Sequence, residues 1–274
     1  FRLRDYIEAA RPDIFILENV GGLQTHDGGK TLRTIMEMLR WIGCGSYDVQ
    51  KFILNSRDFG VPQNRVRVFI VGRRQALIKN STLKVSPLGE VPLEEFLEPT
   101  YGDNAEMELT DIARQNLSQT RIELYKQGWE PAEECWVIDV DASKRYRGCK
   151  WNCSPCLLAA RSQGMWITNR GRRMTLTEAC RLQGLEPFSS EVLVNASLSE
   201  GKAFSLLGNA MTVNVVREVL RSTCISMGCS GLSVVPPAAA TLVPFERVQS
   251  LNRAATVADV VRSQGLLRSD AEWT

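Results

Sequence analysis

Three side chains able to grip an anion or the edge of a nucleobase stand at alternate positions in Phe59-Gly-Val-Pro-Gln-Asn-Arg-Val-Arg-Val-Phe69. Gln63, Arg65 and Arg67 follow a Gly-Val-Pro turn and run into a β-branched segment. On an extended strand with about 3.3 Å rise per residue, all three would share one face, roughly 6–7 Å apart. Two guanidiniums and an amide so aligned form a fork for phosphate or for a base. The plain alternative is a solvated strand face. Val66, Val68 and Ile70 are expected to fill the opposite face.

Upstream, Asp13-Ile-Phe-Ile-Leu-Glu-Asn-Val20 carries a short apolar run, Ile14 to Leu17, that suits a strand buried on both faces of a parallel sheet. Glu18 and Asn19 would then lie at its carboxyl end, the edge where open α/β sheets bind ligands. There a carboxyl group walled by apolar side chains is placed to donate or share a proton; a cap on the next helix is the simpler role. Downstream, Arg172-Arg-Met-Thr-Leu-Thr-Glu-Ala-Cys-Arg-Leu-Gln-Gly184 has Thr175 and Glu178 at capping-box spacing and Gly184 where a helix would stop. Finally, Gly208-Asn-Ala-Met-Thr-Val213 reads as a turn opening a helix with Val213, Val216, Val219 and Leu220 on one side. Such a turn can offer backbone N–H groups to an anion.

The order of these four segments resembles the C-terminal half of DNA (cytosine-5) methyltransferases, from Phe1 to about Arg221. The resemblance implies an α/β protein: part of a Rossmann-like, S-adenosylmethionine-dependent methyltransferase sheet plus a smaller, irregular target-recognition lobe. In that family a cysteine thiolate attacks C6 of a cytosine flipped out of duplex DNA, and C5 then takes the methyl group of S-adenosylmethionine. By resemblance, Glu18 binds the Watson–Crick edge of the base at N3, and Asn19 supports the catalytic loop. Arg67 lies near O2, which makes Glu18, Asn19 and Arg67 the catalytic candidates. Gln63 and Arg65, with Arg67, shape the substrate pocket. Asn209 and Ala210 contact the methyl donor, while Arg172, Thr175, Glu178 and Arg181 organise the junction with the recognition region. Met211-Thr212 stands where Val-Pro is commoner, and Gly184-Leu-Glu-Pro187 where Gly-Phe-Pro is usual.

The resemblance omits the family's Phe-x-Gly-x-Gly donor motif and its Pro-Cys nucleophile loop. The one Pro-Cys here, Pro155-Cys156, falls in Ser154-Pro-Cys-Leu157, which resembles the Ser-Pro-Thr-Leu of the recognition segment, with Cys156 in place of Thr. The expectation is therefore of a fragment or one half of a split enzyme, inactive alone and complemented by a missing N-terminal half in trans. Two alternatives stay open: a methyltransferase acting on tRNA cytosine, and a non-catalytic DNA-binding or regulatory half.

With 33 Lys and Arg against 31 Asp and Glu, net charge is only +2, so overall balance does not announce a nucleic acid. Local clusters do so better: Arg65, Arg67, Arg73 and Arg74; Lys144, Arg145, Arg147 and Lys150; Arg170, Arg172 and Arg173. A single histidine, His26, excludes histidine triads. Among the eight cysteines, Cys135, Cys149, Cys153 and Cys156 have the makings of a four-thiolate site, but the spacing is irregular and no metal is expected. No signal peptide or membrane-length apolar run appears, so an intracellular protein with reduced thiols is expected, nuclear in a eukaryote and cytoplasmic in a bacterium. Residues 1–78 read as catalytic α/β domain, with helices at 1–10 and 30–42 and strands near 49–54 and 66–72. Residues 79–165 read as the recognition region, whose Trp129, Trp136, Trp151 and Trp166 are expected mainly in the core. Residues 166–225 return to the catalytic domain, and 226–274 form a linker and tail with a short amphipathic helix near 254–267.

Overall fold

Apolar residues at helical spacing turn Lys30–Arg40 into a helix that buries Leu32, Met36 and Leu39. The computed structural model describes residues 2–99, 105–143, 148–160, 164–185 and 197–229. The chain divides into two units, Phe1–Val234 and Val235–Thr274, and every described residue belongs to the first. The expected tail helix, Lys144, Arg145, Arg147 and Pro187 lie outside the described residues.

Helix α1 (Arg2–Ala10) leads into β1 (Ile14–Val20); α2 (Lys30–Arg40), β2 (Tyr47–Asn55) and β3 (Val66–Arg74) follow. The strands lie in the order β1-β3-β2. Both pairings are antiparallel, with Val20 opposite Arg67 and Leu54 also opposite Arg67. The parallel sheet expected for β1 is thus corrected. Its apolar run follows from cover on both faces, which strand direction does not determine. Val68 and Ile70 join Phe15, Val49 and the buried residues of α1 and α2, while Phe69 and Val71 pack with Val215 and Val219 on the other side. Period-two alternation along β3 separates the two cores. Val66, expected to be covered like Val68 and Ile70, is 36% exposed because it begins the strand beyond both cores. Gly72 allows the ring of Phe15 to cross the sheet, since a Cβ there would lie 2.0 Å from that ring.

The second lobe is more regular than its sequence suggests. Helix α3 (Asp111–Lys126) packs on a four-stranded sheet ordered β5-β4-β6-β7: β4 (Trp136–Asp139), β5 (Cys149–Trp151), β6 (Met165–Ile167) and β7 (Arg172–Arg173). The expected irregular lobe is corrected on two physical grounds. Strands of two to four residues are too short to show alternation, and α3 buries polar Asn116 and Thr120 beside Ala113, Leu117 and Leu124. The Asn116 amide donates to the carbonyls of Val140 (2.8 Å) and Ala142 (2.9 Å), which satisfies it in the core. The sheet also continues past residue 165 through β6 and β7. Trp136 and Trp166 are buried, whereas Trp151 is 51% exposed and stacks obliquely on Trp129.

Helices α4 (Leu176–Arg181), α5 (Glu200–Asn209) and α6 (Val213–Ser226) complete the fold. Leu157, Met165, Ile167, Leu182, Phe204 and Leu207 form one core that joins the second lobe to α4 and α5. Gly208 and Asn209 close α5 and do not open α6, which corrects the expected turn. The buried residues of α6 are Val215, Glu218, Val219, Ser222, Thr223 and Ser226, and Leu220 is 46% exposed. Four of those six are polar, so the expected side, of which Val219 is buried and Val216 packs partly buried beside it, captures only part of the stripe.

Candidate active site

Glu18 near the end of β1 and Arg67 near the start of β3 lie diagonally across the antiparallel pair, one register step apart on one face. The Arg67 Nε donates to Glu18 Oε1 at 2.9 Å, and the side chains retain 14% and 20% exposure. Glu18 therefore faces a guanidinium where apolar walls were expected. Both residues line a hollow with Leu54, Arg65, Phe69, Met211, Thr212 and Val215. The free space is about 10 Å³, room for one water at most, so the ion pair itself fills the grip. On the far side of Glu18, an apolar cavity of about 460 Å³ lies between α1, α2 and the sheet, lined by Leu3, Leu17, Leu23, Ile35, Leu39 and Ile70. Asn19 also borders this cavity, is exposed, and accepts a hydrogen bond from the Val20 N–H at 2.8 Å.

Gln63 and Arg65 are placed differently from Arg67. The strand begins only at Val66, so the two precede it in a loop stitched to the second lobe: Asn64 N–H donates to Ser154 O, and Ser154 N–H to Pro62 O. Gln63 is completely buried; its amide donates to Leu182 O (2.6 Å) and accepts from Leu157 N–H (3.0 Å). Arg65 is 3% exposed and donates to the carbonyls of Leu157 (2.9 Å), Gly208 (3.1 Å) and Ala210 (2.6 Å). Burial, the largest influence, pulls its guanidinium below the ordinary arginine value. The shared strand face expected for all three is corrected: Arg67 alone reaches the grip as a partly exposed cation, and the other two act from below it.

Asn209 is exposed at the end of α5, and the Ala210 carbonyl is held by Arg65, which brings this turn to the hollow through Met211. The third motif is a junction. Arg172 makes a two-pronged bond to Glu178, at 3.0 and 2.7 Å, and Glu178 is fully buried. Thr175 and Glu178 form the expected capping box at α4. Glu98 N–H donates to Glu178 (2.8 Å), Thr175 donates to Glu98 (2.7 Å), and Arg181 donates to Phe96 O (3.2 Å). The segment around Phe96 is thereby fastened to α4.

Two contributors have little sequence signal. Gln183 donates to Leu207 O (2.8 Å) and accepts from the Thr212 hydroxyl (2.9 Å), which fixes the α5–α6 turn. Cys156 lies beside both arginines, its sulfur 3.4 Å from Arg65 Nη1 and 3.7 Å from Arg67 Nη2. Among the described residues, no three His, Cys, Asp or Glu side chains group to hold a metal ion, and no helix is long and apolar enough to cross a membrane.

An acid–guanidinium pair at one end of a helix-covered sheet, backed by a second α/β lobe, defines a two-lobed protein with its polar grip at their junction. A family model for C-5 cytosine-specific DNA methylases matches residues 1–164. The type II methyltransferase M.NgoBI of Neisseria gonorrhoeae is 30% identical over 228 residues, covering 82% of this chain and 64% of that protein. M.HaeII of Haemophilus aegyptius is also 30% identical, over 83% of this chain and 65% of its own length. A mutant form of DNMT2 from Spodoptera frugiperda shares the fold at TM-score 0.53 and 17% identity, covering 81% of this chain and 70% of that one. The chain belongs to the C-5 cytosine-specific DNA methylase family. It spans slightly under two thirds of the two methyltransferases named first.

Proposed function

We propose that this chain forms the base-gripping wall and target-recognition lobe of a DNA cytosine-C5 methyltransferase. The observation that supports the reading is the Glu18–Arg67 pair at a hollow walled by β2, β3 and the turn into α6. A flipped cytosine offers N3 and an exocyclic amine to a carboxyl group and O2 to a guanidinium. Entry of the base would exchange the 2.9 Å ion pair for these contacts. Charge developing in the ring during attack at C6 would then meet groups already oriented toward it. Arg65 and Gln63 hold the floor of the grip and leave Arg67 free to turn. S-adenosylmethionine supplies the methyl group when bound; Asn209 and Ala210 are assigned to it, and the exposed Asn209 amide fits a contact with such a ligand. Methyl transfer further requires a thiolate of the Pro-Cys loop type. We assign that role to no cysteine described above, so turnover by these 274 residues alone is not expected.

Binding tests the reading without needing turnover. A mixed-sequence DNA duplex pool containing cytosines opposite abasic sites, which are easily extruded, is compared with the fully paired pool and with tRNA. The wild-type chain is expected to favour the extrudable cytosine, and Glu18→Ala to lose about tenfold of that preference through the missing base contacts. Equal preference in wild type and variant would overturn the assignment, and stronger binding to tRNA would move the substrate to RNA.

A further inference from the structure

The thiol of Cys156 is half-buried, accepts from Arg65 Nη1 (3.4 Å) and Arg67 Nη2 (3.7 Å), and lies 3.5 Å from the Leu157 carbonyl. It is therefore the thiol that touches the cation of the grip. Cys135, Cys153 and Cys180 are buried, and Cys44 and Cys229 are exposed. A second observation concerns the same place. Arg65, 3% exposed, lines the hollow with Glu18 and Arg67, and its Nε has no hydrogen-bond partner among the described residues. Two guanidiniums thus stand against one sulfur. Thiols in partly exposed, electropositive settings are the ones that react with small oxidants.

We propose that Cys156 is a redox modification site for an acidic low-molecular-weight disulfide of the glutathione disulfide type, and that the adduct shuts the grip. The carboxylates of the reagent are attracted to Arg67, with Arg65 behind it. The sulfur of Cys156, its proton released to solvent, attacks one sulfur of the reagent. A new S–S bond forms to Cys156, the old one breaks, and its electron pair leaves on the departing glutathione thiolate. The protein thiol is oxidised and half of the reagent is reduced, with no further reactant. The bound half then crowds Arg67 and competes with Glu18 for its guanidinium. That last consequence rests on the base-gripping function proposed above; the chemistry at sulfur does not.

The full chain is incubated with glutathione disulfide or with neutral hydroxyethyl disulfide, and each cysteine is followed by peptide mass spectrometry. With the acidic reagent, Cys156 is expected to react about tenfold faster than exposed Cys44 and Cys229; with the neutral reagent, the exposed thiols should lead. Arg67→Gln should slow Cys156 toward the acidic reagent only. Cys156 trailing the exposed thiols with glutathione disulfide, or leading equally with both reagents, overturns the site. Treated wild type should lose its preference for extrudable cytosine and regain it on reduction, whereas treatment should leave the preference of Cys156→Ser, whatever its starting size, unchanged. An adduct that leaves the preference intact overturns the blocking role. If untreated protein shows no preference at all, the base-gripping function fails, and the modification rates still decide the site.

Discussion

Arg65 and Arg67 are separated by one residue and do opposite work. Arg67 pairs with Glu18 at 14% and 20% side-chain exposure, so water still reaches both charges and can take the place of a lost partner. Arg65 holds three main-chain carbonyls in a buried setting, so its removal leaves acceptors without donors. Arg65→Ala is expected to lower unfolding free energy by about 3 kcal/mol in urea titration, and Arg67→Ala by less than about 1 kcal/mol. Comparable losses for the two would show that Arg67 is structural as well. The residue types announce cationic recognition in the sequence. What the sequence hides is where the strand starts: the alternation of Gln63, Arg65 and Arg67 suggests a common face, but Val66 is the first residue of β3.

Elements are held together here by absent side chains as much as by present ones. A Cβ at Gly72 would lie 2.0 Å from the Phe15 ring, in the layer where β1 crosses β3. Gly72→Ala should destabilise the chain by about 1–3 kcal/mol or more, read from the denaturation midpoint. A Cβ at Gly208 would lie 2.2 Å from the Ala159 backbone, where α5 touches the second lobe. Gly208→Ala is expected to loosen that junction, with faster proteolytic cleavage near Ala159 and little change in protection of β1 and β3; unchanged cleavage would sink the idea. Helix α2 is legible through its helical apolar spacing, β3 through its alternation and β1 through its continuous apolar run, whereas α1, which buries only Ile7, is expected from the family resemblance. Helix α3 and the polar part of the buried stripe of α6 are not legible, because Asn116, Thr120, Glu218 and Ser222 occupy positions that pattern reading reserves for hydrocarbon.

At the scale of the whole molecule, the lobes share a core through Leu157, Met165, Ile167, Leu182 and Phe204, and buried thiols report its integrity. Burial, reinforced by Glu94, pushes the Cys135 thiol up to about 12 from 9.0. Folding therefore favours the protonated thiol. Its contribution is fully present below the unfolded value and is lost as pH rises from about 9 toward 12, because only the unfolded state releases the proton there. The melting temperature of wild type should fall more steeply than that of Cys135→Ser between pH 9 and 11, and parallel curves would refute the linkage. The antiparallel placement of β3 and the second sheet is invisible in the sequence, since strand direction leaves no trace in composition. Arg65 addresses oxygens of the polypeptide backbone at Leu157, Gly208 and Ala210, and none of those groups depends on which side chain the residue carries. Surface positions across the second lobe are thus free to drift while the mooring beneath them endures, so relatives whose second lobes have diverged should retain this arginine long after its neighbours have changed.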